Sequence, residues 1–193
     1  LPALSKAKAK AHAITCMNNS KQLAAAFHLY SMDFADLFPP NPDDGNTVPG
    51  HAWCGGQAGV AGAQEFNTDV LKDEKTCLIV PYIGKNIGIF KCPADNRTGR
   101  YSGADSALRG TYVSNARSVA LNQAVGTVCP GYRNGSGHSG APTLASRGPW
   151  LTGNYGGNGP FMTFGKNSSF APASPSMVFL TVDENPWSIN DGG

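Results

Sequence analysis

Between Pro2 and Lys10 the only large apolar side chain is Leu4, set among alanines and Lys6, Lys8 and Lys10. Further on, Cys16, Leu23, Phe27, Tyr30 and Phe34 recur at i, i+7, i+11, i+14 and i+18, which is one face of an α-helix. Ala24, Ala25 and Ala26 are strong helix formers, and Phe38-Pro39-Pro40 ends the pattern. The spacing predicts a continuous helix over about 2–35, with Leu23, Phe27 and Tyr30 buried and Lys6 and Lys10 in solvent. Such a helix is roughly 50 Å long at 1.5 Å per residue. A compact domain of this size is only about 42 Å across, so the alanine–lysine half stands free while the later half packs.

After Pro40 the helical beat is lost. Residues 41–68 read as loop. Residues 69–83 read as a short helix capped by Thr68 or Asp69, and Ile87–Lys91 as a weakly alternating, strand-like run into Cys92-Pro93-Ala94-Asp95. Gly110–Leu121 reads as a strand pair and Ser176–Val182 as the clearest strand, expected to be central and buried. Residues 126–160 form a Gly-rich excursion with few signals of either kind. The reading is α+β: a long N-terminal helix (1–35) on a globular domain (36–193) built around a small antiparallel sheet with long Gly-rich loops.

Composition refines this picture. The chain has 193 residues with 24 Gly and 14 Pro, and only 15% are charged, so a modest core is wrapped in much irregular chain. A net charge of +2 gives no basis for nucleic-acid binding. No apolar run approaches the ~20 residues of a membrane span. The start at Leu1-Pro2, without Met, leads us to expect an upstream segment.

The chemistry-bearing groups are sparse. Gly135-Ser136-Gly137-His138-Ser139-Gly140 puts Ser near His, but with the wrong spacing and in the wrong context for a nucleophile elbow. His12, His28, His51 and His138 share no metal-site spacing, and Cys54 has no identifiable base. Asn41-Pro42-Asp43-Asp44-Gly45 departs from a calcium loop at its third position. These absences predict no enzyme. Asp183, Glu184, Asn185, Asn190 and Asp191 put oxygen ligands past the best strand. A calcium site at Asp183, Glu184, Asn190 and Asp191 competes there with an ordinary hydrogen-bonded turn. Among five cysteines, Cys16 lies on the helix face that points at the domain, and Cys92 ends an apolar run that should pack there. That predicts a Cys16–Cys92 disulfide; Cys54, Cys77 and Cys129 leave a second pair undecided.

Four segments resemble one bacterial family. Leu1-Pro2-Ala3-Leu4-Ser5-Lys6-Ala7-Lys8 is similar to the exit of the hydrophobic helix in type IV pilin-like proteins. Cys16-Met17-Asn18-Asn19-Ser20-Lys21-Gln22-Leu23 resembles the Cys-x-Asn-Asn-x-Lys-Gln-Leu signature that follows it. Phe90-Lys91-Cys92-Pro93-Ala94-Asp95 resembles a mid-chain Cys-Pro-x-Asp. Asp183-Glu184-Asn185-Pro186-Trp187-Ser188-Ile189-Asn190-Asp191-Gly192 resembles the closing motif, with Asn185 where the family has His. The family is that of pseudopilin-like proteins of the prepilin-type cleavage/methylation group, type II secretion pseudopilins among them. The resemblance implies a pilin-like fold without catalytic residues, in a subunit whose helix packs against other pilin or pseudopilin subunits in a filament serving protein transport or cell-surface display. It also implies an inner-membrane anchor upstream of Leu1, a periplasmic or extracellular domain, and calcium in the C-terminal loop. A different reading has the same anchor display a glycan- or ligand-binding module through Trp150 and Tyr155 of the excursion.

Overall fold

The structure, a computed structural model, describes residues 2–41, 49–56, 64–127, 164–170 and 174–183. The fold is α+β. Helix α1 (Pro2–Asp33) is unbroken and buries Leu23, Ala26, Phe27, Tyr30 and Ser31. Residues 2–11, Lys6 and Lys10 among them, are exposed. The expected division into a free and a packed half therefore holds. The helix stops before the prolines, because Ala35 and Asp36 turn left-handed, with φ of 54° and 71°. The Asp36 amide then donates to the Ser31 carbonyl at 2.8 Å, which satisfies an orphan acceptor at the helix end.

Aromatic rings carry the packing. Phe27 lies 6.2 Å from Phe38 and 5.7 Å from Trp53, and Trp53 lies 5.9 Å from Phe90. Tyr30 stacks on Phe34 at 4.1 Å and meets Tyr82 edge-on. Leu71, Ile79, Val80, Ile89, Val119, Leu121 and Val125 complete the core.

The extended segments are shorter than the sequence implies, and paired differently. β1 (Thr98–Arg100) pairs antiparallel with β2 (Tyr112–Ser114). β3 (Val119–Leu121) pairs antiparallel with β4 (Thr181–Asp183), Val119 opposite Asp183. Gly110–Leu121 thus contains two strands that belong to different sheets. Between them Asn115, Ala116, Arg117 and Ser118 run through the interior, where Asn115 Nδ2 donates to Asp95, Arg117 Nη2 to the Gly56 carbonyl and the Ser118 hydroxyl to Asp183. Ser176–Val182 begins in a 3₁₀ turn (Pro175–Met177) and becomes strand only at Thr181. Its Met177 and Phe179 are 79% and 62% exposed, so this segment is not the central buried strand expected.

Two helix and strand boundaries also move. The run Ile87–Phe90 is a 3₁₀ turn, not a strand: the Asn86 side chain accepts from the Gly88 amide at 3.3 Å, while Ile89 and Phe90 are buried. Residues 69–83 divide into α2 (Asp69–Lys72) and a 3₁₀ turn (Val80–Ile83). The break falls where the Asp73 carboxylate accepts from the Lys75 amide at 2.9 Å, a local bond that competes with the helix. Helix α1 packs on the two 3₁₀ turns and on β4.

This division of α1 predicts a contrast. Phe27→Ala should cost about 3–5 kcal/mol in urea unfolding, whereas Leu4→Ala should stay within about 0.5 kcal/mol.

Candidate functional site

Cys16 and Asn19 lie one turn apart on α1 (i, i+3) and are half-buried, at the junction of its free and packed halves. Past the 3₁₀ turn Ile87–Phe90 the backbone extends at Lys91, whose carbonyl accepts from Asn19 Nδ2 at 3.2 Å. Cys92 is thereby set against the helix, and its Sγ lies 2.8 Å from that of Cys16. Both thiols are free.

Ser118 positions the other side. Its amide donates to the Phe90 carbonyl at 3.0 Å. Its hydroxyl oxygen accepts from the Cys92 amide at 2.8 Å and donates to Asp183 Oδ1 at 3.0 Å. Asp183 is there because β3 and β4 place it opposite Val119. The ligand atoms of Cys16, Cys92 and Asp183 all lie within 4.8 Å of one another. Burial, the hydrogen bond with Cys92 and the negative charge of Asp183 push the Cys16 thiol up to about 12.

The turn after Cys92 is held by ion pairs and hydrogen bonds. The Asp95 amide donates to the Cys92 carbonyl at 3.0 Å. Its carboxylate accepts from Arg97 Nη2 at 2.7 Å and from Asn115 Nδ2 at 2.7 Å, and Arg97 Nη1 bonds Glu65 at 2.7 Å. Burial raises the Asp95 carboxyl, but hydrogen bonds and charge from Arg97, with Asn115, outweigh it and hold the group below the ordinary carboxylate range. Beside this turn opens a groove of about 470 Å³, lined by Thr15, Asn19, Lys91, Pro93, Asn96 and Ser114 among others.

The predicted residues distribute unevenly. Cys16 and Cys92 are brought together. Asp183 joins them, and its carboxylate accepts from Ser118. Glu184, Asn190 and Asp191 lie outside the described residues, as do Cys129, His138, Trp150 and Tyr155. Two sulfurs and a carboxylate suit zinc better than calcium. Yet thiolates on a tetrahedral zinc sit about 3.7 Å apart at a Zn–S distance of about 2.3 Å, and these are closer. Cys54 and Cys77 are both buried and free. Burial pushes Cys54 up to about 11, and Cys77 donates to the Trp53 carbonyl at 3.6 Å. Their setting is structural. His12 is half-buried, His28 is exposed and His51 is buried. Ser118 and the Asp95–Arg97–Glu65 network escaped the sequence reading, since single polar residues between short strands carry no periodic signal.

No family model, curated protein or solved structure matches the chain. Among the described residues, no helix is long and apolar enough to cross a membrane.

The Asp95 network yields a pH-dependent prediction. A carboxyl held low in the folded state stabilises the fold above its unfolded pKa, and loses that effect as pH falls through the folded value. Asp95→Asn should cost roughly 1–3 kcal/mol at pH 7. In urea titrations the gap to wild type should close in acid below the ordinary carboxylate range.

Proposed function

We propose that this chain is the domain-bearing part of a pilin-like filament subunit of the type II secretion or type IV pilus kind. One observation carries the reading: a 32-residue helix whose second half is built into the domain while its first turns, residues 2–11, are exposed. Short helices are marginal in water, so these turns draw their order from the packed half and offer a face that other chains can bury. Leu4, Ile14 and Met17, exposed by 71%, 55% and 57%, are the side chains such neighbours would cover. The motif resemblance supports the same reading. Three of its four segments meet at one place, through Cys16 and Asn19, Lys91 to Asp95, and Asp183. In this reading a membrane anchor precedes Leu1 and the domain faces the periplasm or exterior, with no chemistry of its own.

The test uses the intact gene product in its native cells, with a photo-crosslinking amino acid at Ala7, Ile14 or Met17, and at Tyr112 as a control. Helix probes should give a ladder of this chain joined to itself or to pilin-like subunits, and the control should not. Helix probes that give only monomer, or a ladder equal to that from Tyr112, would overturn the proposal.

A further inference from the structure

The groove beside the Cys92 turn lies between α1, the 3₁₀ turn Ile87–Phe90 and the ends of β1 and β2. Its volume of about 470 Å³ falls within the ~300–1,000 Å³ of small-molecule clefts. We infer that this groove is a binding site for an acidic saccharide, a uronate, with Lys91 receiving the carboxylate and the surrounding amides and hydroxyls taking the sugar hydroxyls. The inference goes beyond the filament reading and does not depend on it.

Charge selects the anion. Lys91 and Asp95 are the charged residues of the lining, and they differ in what they have left to bind. Both Asp95 oxygens are taken up by Arg97, and Oδ2 also by Asn115. Lys91 is half-buried and forms no ion pair among the described residues. Its amide donates to the Gly88 carbonyl and its own carbonyl accepts from Asn19, so the base of the side chain is fixed in the groove wall. Burial pulls its ammonium below the ordinary lysine value, against the field of Asp95. A cation short of water gains more from a fixed anion than a solvated one does. One unmatched positive charge suits a carboxylate, and the adjacent Asp95 discriminates against a doubly charged phosphate.

The neutral lining selects the sugar. Asn86 Oδ1 accepts from the Gly88 amide at 3.3 Å, which leaves Nδ2 to donate. Asn19 Nδ2 donates to the Lys91 carbonyl, which leaves Oδ1 to accept. Thr98 lies opposite Ser114 in the β1–β2 register, so their hydroxyls stand side by side on one face. A sugar hydroxyl both donates and accepts, and a ring of them matches this mixture where a simple carboxylate does not. A peptide would need apolar pockets for its side chains. The apolar side chains of the lining are Pro93 and Ile89, and Ile89 is 2% exposed. Asn19 belongs to α1 and Lys91 to the domain, so a bound uronate joins the two across their hydrogen bond.

The experiment titrates the full chain by calorimetry with trigalacturonate, and with acetate, an acidic tripeptide and neutral galactotriose for comparison. Trigalacturonate should bind saturably in the millimolar range or tighter, and each comparison ligand roughly tenfold more weakly or less. Lys91→Gln should weaken trigalacturonate roughly tenfold, through the loss of one charge-assisted contact. Lys75→Gln, outside the lining, should leave binding unchanged. On wild type, a carbodiimide that couples the bound carboxylate to the nearest amine should label Lys91 ahead of Lys6, Lys8 and Lys10, read by peptide mass. No saturable binding, equal binding of acetate, tripeptide or neutral sugar, or unchanged binding in a folded Lys91→Gln each overturns the inference. Labelling spread evenly over the exposed lysines overturns it too, since that marks general attraction to basic side chains. The titrations and the labelling are read on wild type, so they decide even if the variant fails to fold.

Discussion

Phe27 is the ring through which a largely polar helix becomes part of a domain. It touches Phe38 just beyond the helix and Trp53 in the next segment, and Trp53 passes the contact on to Phe90. The two described sheets have two strands of three residues each, too little for either to stand alone. Their position depends on the aromatic cluster beneath them, and the cluster lacks one wall without α1. The thiol site inherits this dependence, since Cys16 reaches Cys92 only while the packed half holds the helix in register.

With so little sheet, side chains satisfy backbone groups that a ladder would otherwise serve. Asn41 Nδ2 donates to the carbonyls of Asn122 and Val125. Thr127 Oγ1 donates to Phe38, and Thr76 Oγ1 to Val70. Arg117, 1% exposed, donates to the carbonyls of Val119 and Gly56 and lies 5.8 Å from the centre of the Trp53 ring, which adds a cation–π attraction to its hydrogen bonds. Gly126 completes the arrangement. It has φ +111°, and a Cβ there would come within 2.6 Å of Asn41 Cβ, so no larger residue allows the Asn41 amide its reach. The irregular chain is thus ordered by specific polar residues, each with a place.

That substitution of side chains for ladders explains which parts could be read from sequence. α1, its buried Leu23, Phe27 and Tyr30 and its inward Cys16 were legible, because a long amphipathic face is periodic. The approach of Cys92 was legible too, although the reason given was half wrong: the run before it packs as a 3₁₀ turn capped by Asn86, and not as a strand. Ile87 to Phe90 alternate only over four residues, too short to separate the two. The division of Gly110–Leu121 between two sheets was hidden, because it rests on Asn115, Arg117 and Ser118 finding remote partners at Asp95, Gly56 and Asp183. Asp183 was singled out among oxygen-rich neighbours, but its contact with sulfur could not be foreseen without knowing that β4 pairs with β3.

The division of α1 also fixes how the molecule takes force. A pull on its first turns runs along the exposed residues 2–11, and no bulky buried side chain is engaged before Leu23. It arrives first at Cys16 and Asn19, where the helix is fastened to the 91–92 segment by one hydrogen bond and one sulfur contact. Beyond that point Leu23, Phe27 and Tyr30 lie nearly in line with the pull, so they resist together as a joint in shear. A sideways load would instead open the sulfur contact first and then peel these side chains away one at a time, beginning with Leu23. The same helix is a strong tether along its axis and a weak one across it, and the sulfur contact marks the point where peeling starts.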